Sequence, residues 1–197
     1  MSSYLEAATY YFERPGGQNT DDAVAIAVKK TREKGIKHVV LASSTGETGL
    51  KVAEAFKGFS VNIVVVTYHS GFHSGDAAKR QEGTWAQNKK KLDAMGIRCV
   101  QSIHALSGVE RSIAARYSGI YPVLLIADTL RLFCQGVKVG VEIAIMAADA
   151  GAIPTDADVI TIAGSGSGAD TVMVVKPAHM NNFFDLKIKE IVCRPQI

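Results

Sequence analysis

The most informative segment of this chain is VVLASSTGETGLKVAEAF, residues Val39–Phe56. Its first residues, Val39–Leu41, are a short apolar run typical of an interior parallel strand. Leu50 and Phe56 then recur at helical spacing, and Gly58 is a suitable end for that helix. The stretch therefore predicts a buried strand, a loop and an amphipathic helix.

The loop between strand and helix, Ser43–Gly49, consists mainly of serine, threonine and glycine. Such a loop offers backbone N–H groups, hydroxyls and the positive end of a helix, which together suit a phosphate. An ordinary turn that uses small polar residues for capping explains the same composition. Both interpretations stay open at this point, because the loop is neither a Walker A motif nor a complete G-x-G-x-x-G motif.

Length and composition predict one globular domain over residues 1–197. The chain has 47% hydrophobic and 21% charged residues and a net charge of +3. Its lysine clusters, Lys29–Lys30 and Lys89–Lys91, fall on predicted helices, so solvated helix faces explain them better than a nucleic-acid surface. We therefore expect no nucleic-acid partner.

The cysteines and the apolar runs indicate the compartment. Cys99, Cys134 and Cys193 are far apart and form no C-x-x-C pair, which argues against a disulfide framework and a zinc ribbon. No apolar run is long enough to span a bilayer, and the N-terminus does not read as a signal peptide. These features predict a cytoplasmic protein without a membrane partner.

Strand and helix signals alternate along the chain, which predicts an α/β three-layer sandwich. The sheet is expected to be mostly parallel, with an antiparallel C-terminal edge. The segment Tyr68–Thr84, which is rich in glycine, histidine and polar residues, is predicted to be a long loop. The predicted strands are Ala7–Phe12, Val39–Ala42, Val61–Thr67, Arg98–Gln101, Val159–Ala163, Thr171–Val175 and Leu186–Val192. The predicted helices are Asp21–Glu33, Glu47–Lys57, Trp85–Met95, Ser107–Arg116, Pro122–Phe133 and Val137–Ala150.

Ligands of open α/β sheets lie outside the carboxyl ends of the strands. Four predicted loops meet this rule and are rich in Gly, Ser, Thr or Asn: Pro15–Thr20, Ser43–Gly49, Thr67–Ser74 and Gly164–Ala169. Their expected convergence at one edge favours a ligand that carries a phosphate.

Three segments, in the same order, resemble the C-terminal α/β domain of pyruvate kinase. VVLASSTGETGLKVAEAF is similar to the strand, loop and helix that hold a phosphate of an allosteric sugar bisphosphate in that domain. Gly119–Leu125, GIYPVLL, is similar to its glycine-aromatic-Pro-Val turn. Gly140–Val175 follows its helix, buried strand, Gly/Ser loop and last strand. The likeness covers about residues 21–175 and implies the same fold.

The barrel that carries the kinase chemistry has no counterpart in these 197 residues, so the resemblance implies no kinase activity. The chain most resembles the stand-alone pyruvate kinase α/β domain-like proteins, which are associated with flavin mononucleotide (FMN). The resemblance therefore implies FMN as the cofactor. The expected cofactor-binding residues are Asn19, Thr20, Ser43, Ser44, Thr45, Gly46, Thr48, Thr67, His69, Gly164, Ser165, Gly166 and Ser167.

Two departures from the kinase pattern favour a monophosphate over a sugar bisphosphate. Glu47 stands where the kinase domain often has a basic residue, and its carboxylate would repel a second phosphate. The stretch His69–Lys91 reads as an insertion without a kinase counterpart.

Three functions therefore remain open: a binding protein for FMN, a small flavin-dependent oxidoreductase, and a regulatory module for a sugar phosphate. In the oxidoreductase, His69 or His73 would donate a proton. The same two histidines are poor candidates for a metal site, because glycine-rich surroundings do not fix a ligand geometry. No metal site is expected.

The segment Val137–Met146 is apolar on nearly every side, which indicates either a central core helix or an oligomer contact. Together with the resemblance, it predicts a homo-oligomer built from dimers.

Overall fold

Seven strands form one sheet, and the computed structural model describes the chain over residues 4–196. The spatial order of the strands is β1-β7-β6-β5-β2-β3-β4. The strands are β1 Tyr10–Phe12, β2 His38–Ala42, β3 Asn62–Tyr68, β4 Arg98–Ser102, β5 Val159–Ala163, β6 Thr171–Lys176 and β7 Lys187–Pro195.

All strands except β6 run in the same direction. The pairs β1–β7, β5–β2, β2–β3 and β3–β4 are parallel, whereas β6 is antiparallel to both β5 and β7. The predicted fold class, a mostly parallel sheet with an antiparallel C-terminal part, is confirmed. Because six strands share one direction, their carboxyl ends and the loops that follow them lie at one edge of the sheet.

Helices cover both faces of the sheet. The continuous apolar runs of the strands require this, because successive side chains of a strand point to opposite faces. The helices are α1 Thr20–Lys34, α2 Glu47–Ala55, α3 Gly75–Ala94, α4 Val109–Tyr117, α5 Pro122–Arg131 and α6 Gln135–Asp149, and short 3-10 helices span Gly17–Asn19 and Met180–Asp185. Val39 and Leu41 of β2 belong to the core beneath α1, α2 and α3, whereas Val40 belongs to the core beneath α6.

Helix α6 is the central helix of its layer. Residues Val137, Val141 and Ala144 are buried, and α6 approaches the sheet closely where it carries a glycine. A Cβ atom on Gly140 would lie 2.4 Å from Cε of Met173. The apolar segment Val137–Met146 is therefore core, and the homo-oligomer, which stays a prediction, would need another surface.

Helix α3 begins ten residues before the predicted helix start, so the prediction of a loop over Tyr68–Thr84 is wrong for its second half. Ala78 and Trp85 are buried one heptad apart, and this sparse apolar stripe is enough to hold a polar segment in the helix. The stretch read as an insertion, His69–Lys91, is thus a short loop followed by most of α3, which connects β3 to β4.

In the part of the chain that the structure describes, no helix has both the length and the apolar character needed to cross a bilayer.

Candidate functional site

A cleft of about 380 Å³ opens at the edge where the parallel strands end. The loops after β2, β3, β4 and β5 contribute to it, and the strand order places the loop after β2 between the loop after β5 and those after β3 and β4. One face of α6 forms the opposite wall, through residues at helical spacing. These are Gln135, Val139, Glu142, Ile143 and Met146.

The loop after β2 presents hydroxyl groups to this cleft. Ser43, Ser44 and Thr45 of the loop line it together with Thr48 of the first turn of α2, and none of their hydroxyls takes part in a hydrogen bond among residues 4–196. Helix α2 begins directly after this loop, so its first N–H groups and the positive end of its dipole lie at the same place. The loop has the donors that an anion needs.

Helix α3 fixes the shape of this loop from behind. The side-chain amide of Asn88 donates to the carbonyl of Thr45 over 2.9 Å. Gly46 has a φ of +83°, and a Cβ atom there would lie 2.7 Å from Cβ of Asn88. Only glycine fits this conformation and this approach without strain, so Gly46 shapes the loop without lining the cleft.

The loop after β5 is held by a buried carboxylate. Oδ2 of Asp170 accepts the N–H of Ser165 over 3.1 Å and the N–H of Gly16 over 2.9 Å. The hydroxyl of Thr20 accepts the N–H of Ala169 over 3.0 Å. The segment before α1 and the first residue of α1 therefore support the glycine-rich loop from outside the cleft.

The end of the cleft after β3 and β4 is aromatic. The rings of Tyr68 and Phe72 stack with centroids 5.1 Å apart, and the ring of His104 lies 4.7 Å from that of Phe72. The guanidinium of Arg111 lies 5.1 Å from the centroid of Phe72. Because planar groups already stack here, this end suits a planar ring.

A buried ion pair lies beside this aromatic end. Nζ of Lys138 donates to Oε2 of Glu142, and the two side chains are 7% and 2% exposed. Oε1 of Glu142 accepts the N–H of Leu106 over 3.1 Å. Burial lowers the pKa of Lys138, and the neighbouring carboxylate opposes that shift. The pair ties the segment after β4 to α6.

His104 is held in a partly buried position next to this pair. Burial is the largest cause that lowers the pKa of its imidazole, and Lys138, His69 and Arg111 lower the pKa further, whereas Glu142 raises it. His104 is therefore neutral in the folded protein around neutral pH.

We expect acidification to destabilise the fold through His104. Its pKa in the folded state lies below the value of about 6.5 in the unfolded chain, so the unfolded state binds more protons as the pH falls below 6.5. The free energy of unfolding should decrease more between about pH 8 and pH 5 in the wild type than in His104→Met. Urea denaturation measures this, and His38, whose pKa burial also lowers, is common to both proteins. Equal pH dependence of the two proteins would contradict the assignment.

The structure brings most of the predicted cofactor-binding residues to one cleft. The residues that line it are Ser43, Ser44, Thr45, Thr48, Thr67, Gly164, Gly166 and Ser167. Gly46 and Ser165 lie in the same loops but do not line it, and His69 contacts the rings of Phe72 and His104 instead.

Asn19 and Thr20 also lie outside the lining of the cleft. The amide of Asn19 donates to the carbonyl of Arg14 over 2.7 Å, and the hydroxyl of Thr20 donates to the carbonyl of Gly17 over 2.6 Å. Their side chains stabilise the segment before α1, so the loop Pro15–Thr20 supports the cleft but does not form its wall.

Sequence reasoning missed the residues that α6 and the loop after β4 contribute, above all Glu142 and His104. A signal was present for Glu142, because a Lys-x-x-x-Glu pair in an otherwise apolar helix has no solvated face to occupy. His104 had no such signal, because its neighbours in space come from β3 and α6.

Among residues 4–196, no three His, Cys, Asp or Glu side chains come together in a way that could hold a metal ion. Cys99, Cys134 and Cys193 are free thiols. Burial raises the pKa of the Cys193 thiol to about 12, so this thiol is not a nucleophile at neutral pH.

Comparisons with known proteins identify the family. The family model described as "Pyruvate kinase, alpha/beta domain" matches residues 21–175. Two structures of a pyruvate kinase from Cryptosporidium parvum, one of them in complex with ADP, are similar at 12% identity, with TM-scores of 0.38 and 0.40. Each similarity covers 81% of this chain and 23% or 24% of the pyruvate kinase chain, so this chain spans about a quarter of the length of those proteins. Because the family model matches most of the sequence, the chain belongs to the pyruvate kinase alpha/beta domain family.

Proposed function

We propose that this protein binds FMN, with the phosphate at the loop Ser43–Thr48 and the flavin ring in the rest of the cleft. One observation carries the proposal: a single cleft joins unpaired hydroxyls at the start of α2 to apolar and aromatic walls. Its volume of about 380 Å³ is in the range of small-molecule sites, roughly 300–1,000 Å³. With its three free thiols, the protein is proposed to work in the reducing cytoplasm.

The charges around the cleft favour one phosphate over two. Glu47 and Glu142 line it, and no Lys or Arg does so among residues 4–196. Backbone N–H groups, hydroxyls and the dipole of α2 can balance one phosphate. Glu142 is already paired with Lys138, but a second phosphate would meet the carboxylate of Glu47 with no cation in the lining. This argues against a sugar bisphosphate as the ligand of a regulatory module.

The experiment is a calorimetric titration of the purified protein with FMN, riboflavin and a sugar bisphosphate. We expect FMN to bind more tightly than riboflavin, because riboflavin lacks the phosphate, and we expect the sugar bisphosphate not to bind. Failure to bind FMN would overturn the proposal.

Thr45→Ala should weaken FMN binding about ten-fold and leave riboflavin binding unchanged, because it removes one hydroxyl donor to the phosphate. Thr129→Ala is the control, since Thr129 is exposed on α5 and bonds to its own helix. Equal FMN affinity of Thr45→Ala and the wild type would show that the loop is only a turn.

A flavin-dependent oxidoreductase is the second candidate, and the position of His73 favours it. His73 lines the cleft, and its ring lies 5.1 Å from that of Tyr68. It could therefore exchange a proton with a substrate beside the flavin ring. Photoreduction without oxygen, followed by a screen of electron acceptors, tests this function. Reoxidation no faster than that of free flavin would reject it.

A further inference from the structure

The aromatic end of the cleft holds one polar group whose bonding is incomplete. Nδ1 of His104 is enclosed and has no hydrogen-bond partner among residues 4–196. The other ring nitrogen, Nε2, is not enclosed in this way, and His104 lines the cleft. The two nitrogens of the ring therefore face different surroundings.

This difference decides which nitrogen carries the proton. A buried N–H without an acceptor is rarer in proteins than a buried acceptor without a donor, because the unmade hydrogen bond of a buried donor is costly. Cationic Lys138 and Arg111 also disfavour a second proton on the ring. The neutral tautomer with its proton on Nε2 is therefore favoured, and His104 presents an N–H donor to the cleft.

The backbone around His104 is fixed. Two residues further on, Leu106 donates its N–H to Oε1 of Glu142, and Lys138 holds the other oxygen of that carboxylate. On the other side, the ring of Phe72 packs against the imidazole at 4.7 Å. A donor held in this way can form a hydrogen bond with an acceptor at the edge of a ring with little loss of entropy on binding.

We propose that His104 recognises the ring of the bound ligand by donating its Nε2–H to a carbonyl oxygen or ring nitrogen of a planar heterocycle. The inference rests on the proposed function and adds to it the end of the cleft at which the ring lies. The ring then lies on the side of β3 and β4, near Tyr68, while the phosphate lies at the loop after β2. A flavin has acceptors of both kinds along one edge of its ring.

The test compares His104→Met with His104→Gln, titrated with FMN and with riboflavin. Both variants remove the imidazole and have similar length, but only glutamine keeps an N–H donor. We expect His104→Met to weaken FMN and riboflavin by the same factor, about ten-fold, and His104→Gln to recover most of the affinity. His179→Met is the control, because His179 is exposed and bonds to Asp149.

Each outcome separates this inference from the proposed function. If the wild type binds FMN and His104→Met binds it equally well, the inference fails and the proposed function stands. If His104→Met weakens FMN but not riboflavin, His104 acts on the phosphate and the inference also fails. If the wild type binds neither compound, both fail.

A second measurement covers variants that do not fold. Nitrogen NMR of the wild-type histidines reports which ring nitrogen carries the proton. We expect a protonated Nε2 in His104 whose signal shifts when riboflavin is added. A proton on Nδ1, or an Nε2 signal that riboflavin leaves unchanged, would overturn the inference.

Discussion

Glu142→Leu should destabilise the fold by about 3–5 kcal/mol, because it leaves the ammonium of Lys138 buried without its counter-charge. The variant also removes the acceptor of the Leu106 N–H. Urea denaturation followed by circular dichroism measures the change. The double variant Lys138→Met/Glu142→Leu should be more stable than Glu142→Leu, because the buried charge is gone. It should keep only the cost of the unpaired Leu106 N–H, about 1–3 kcal/mol.

An exposed pair with the same spacing serves as the control. Lys89 and Asp93 on α3 lie 2.7 Å apart, with side chains 44% and 47% exposed. Asp93→Leu should therefore change stability by less than about 1 kcal/mol. If Glu142→Leu is no more destabilising than Asp93→Leu, the buried pair does not hold α6 to the segment after β4.

Gly168→Ala should destabilise the protein by several kcal/mol and disturb the wall of the cleft. A Cβ atom there would lie 2.3 Å from Oγ1 of Thr20 and 2.6 Å from Cα of Gly17, and φ is +68°. The clash therefore adds to the cost of about 1–2 kcal/mol for a left-handed residue with a side chain. The free energy of unfolding from urea denaturation is the measurement.

Gly166→Ala in the same loop is the matched control. Gly166 also has a positive φ, +82°, but nothing lies within 4 Å of its would-be Cβ atom. This variant should show the conformational cost alone, about 1–2 kcal/mol. If Gly168→Ala and Gly166→Ala destabilise the protein equally, the packing of the glycine-rich loop against Gly17 and Thr20 contributes nothing to stability.

The sequence was sufficient to predict the sheet and the edge at which the cleft opens. Short apolar runs such as Val39–Leu41 are buried strands, and the small polar residues that follow β2 form a loop and the first turn of α2. The loop Ser43–Gly49 was predictable as a cleft element for the same reason, since a strand, a loop and a helix in succession fix where the loop lies.

The rest of the site depends on contacts between distant segments. His104 lies next to Phe72 and to the Lys138–Glu142 ion pair on α6, and no local sequence pattern predicts these contacts. Helix α3 was predicted too short because its apolar stripe, from Ala78 to Trp85, is sparse and begins beside a glycine-rich loop. Thr20 was predicted to bind the cofactor, yet its hydroxyl is bound to Gly17 and Ala169.

The two hydrogen bonds that Oδ2 of Asp170 accepts have a consequence for the order of folding. Gly16 and Asp170 are separated by 154 positions, and the glycine-rich loop takes its shape only where they meet. Contacts over such separations close slowly, because the chain between them must lose its freedom first. The loop after β2 can take shape early from local contacts. The glycine-rich loop after β5 forms only when the segments that hold Gly16 and Asp170 come together. The cleft is therefore expected to be completed late in folding, and a partly folded chain would have the loop after β2 before it has a complete cleft.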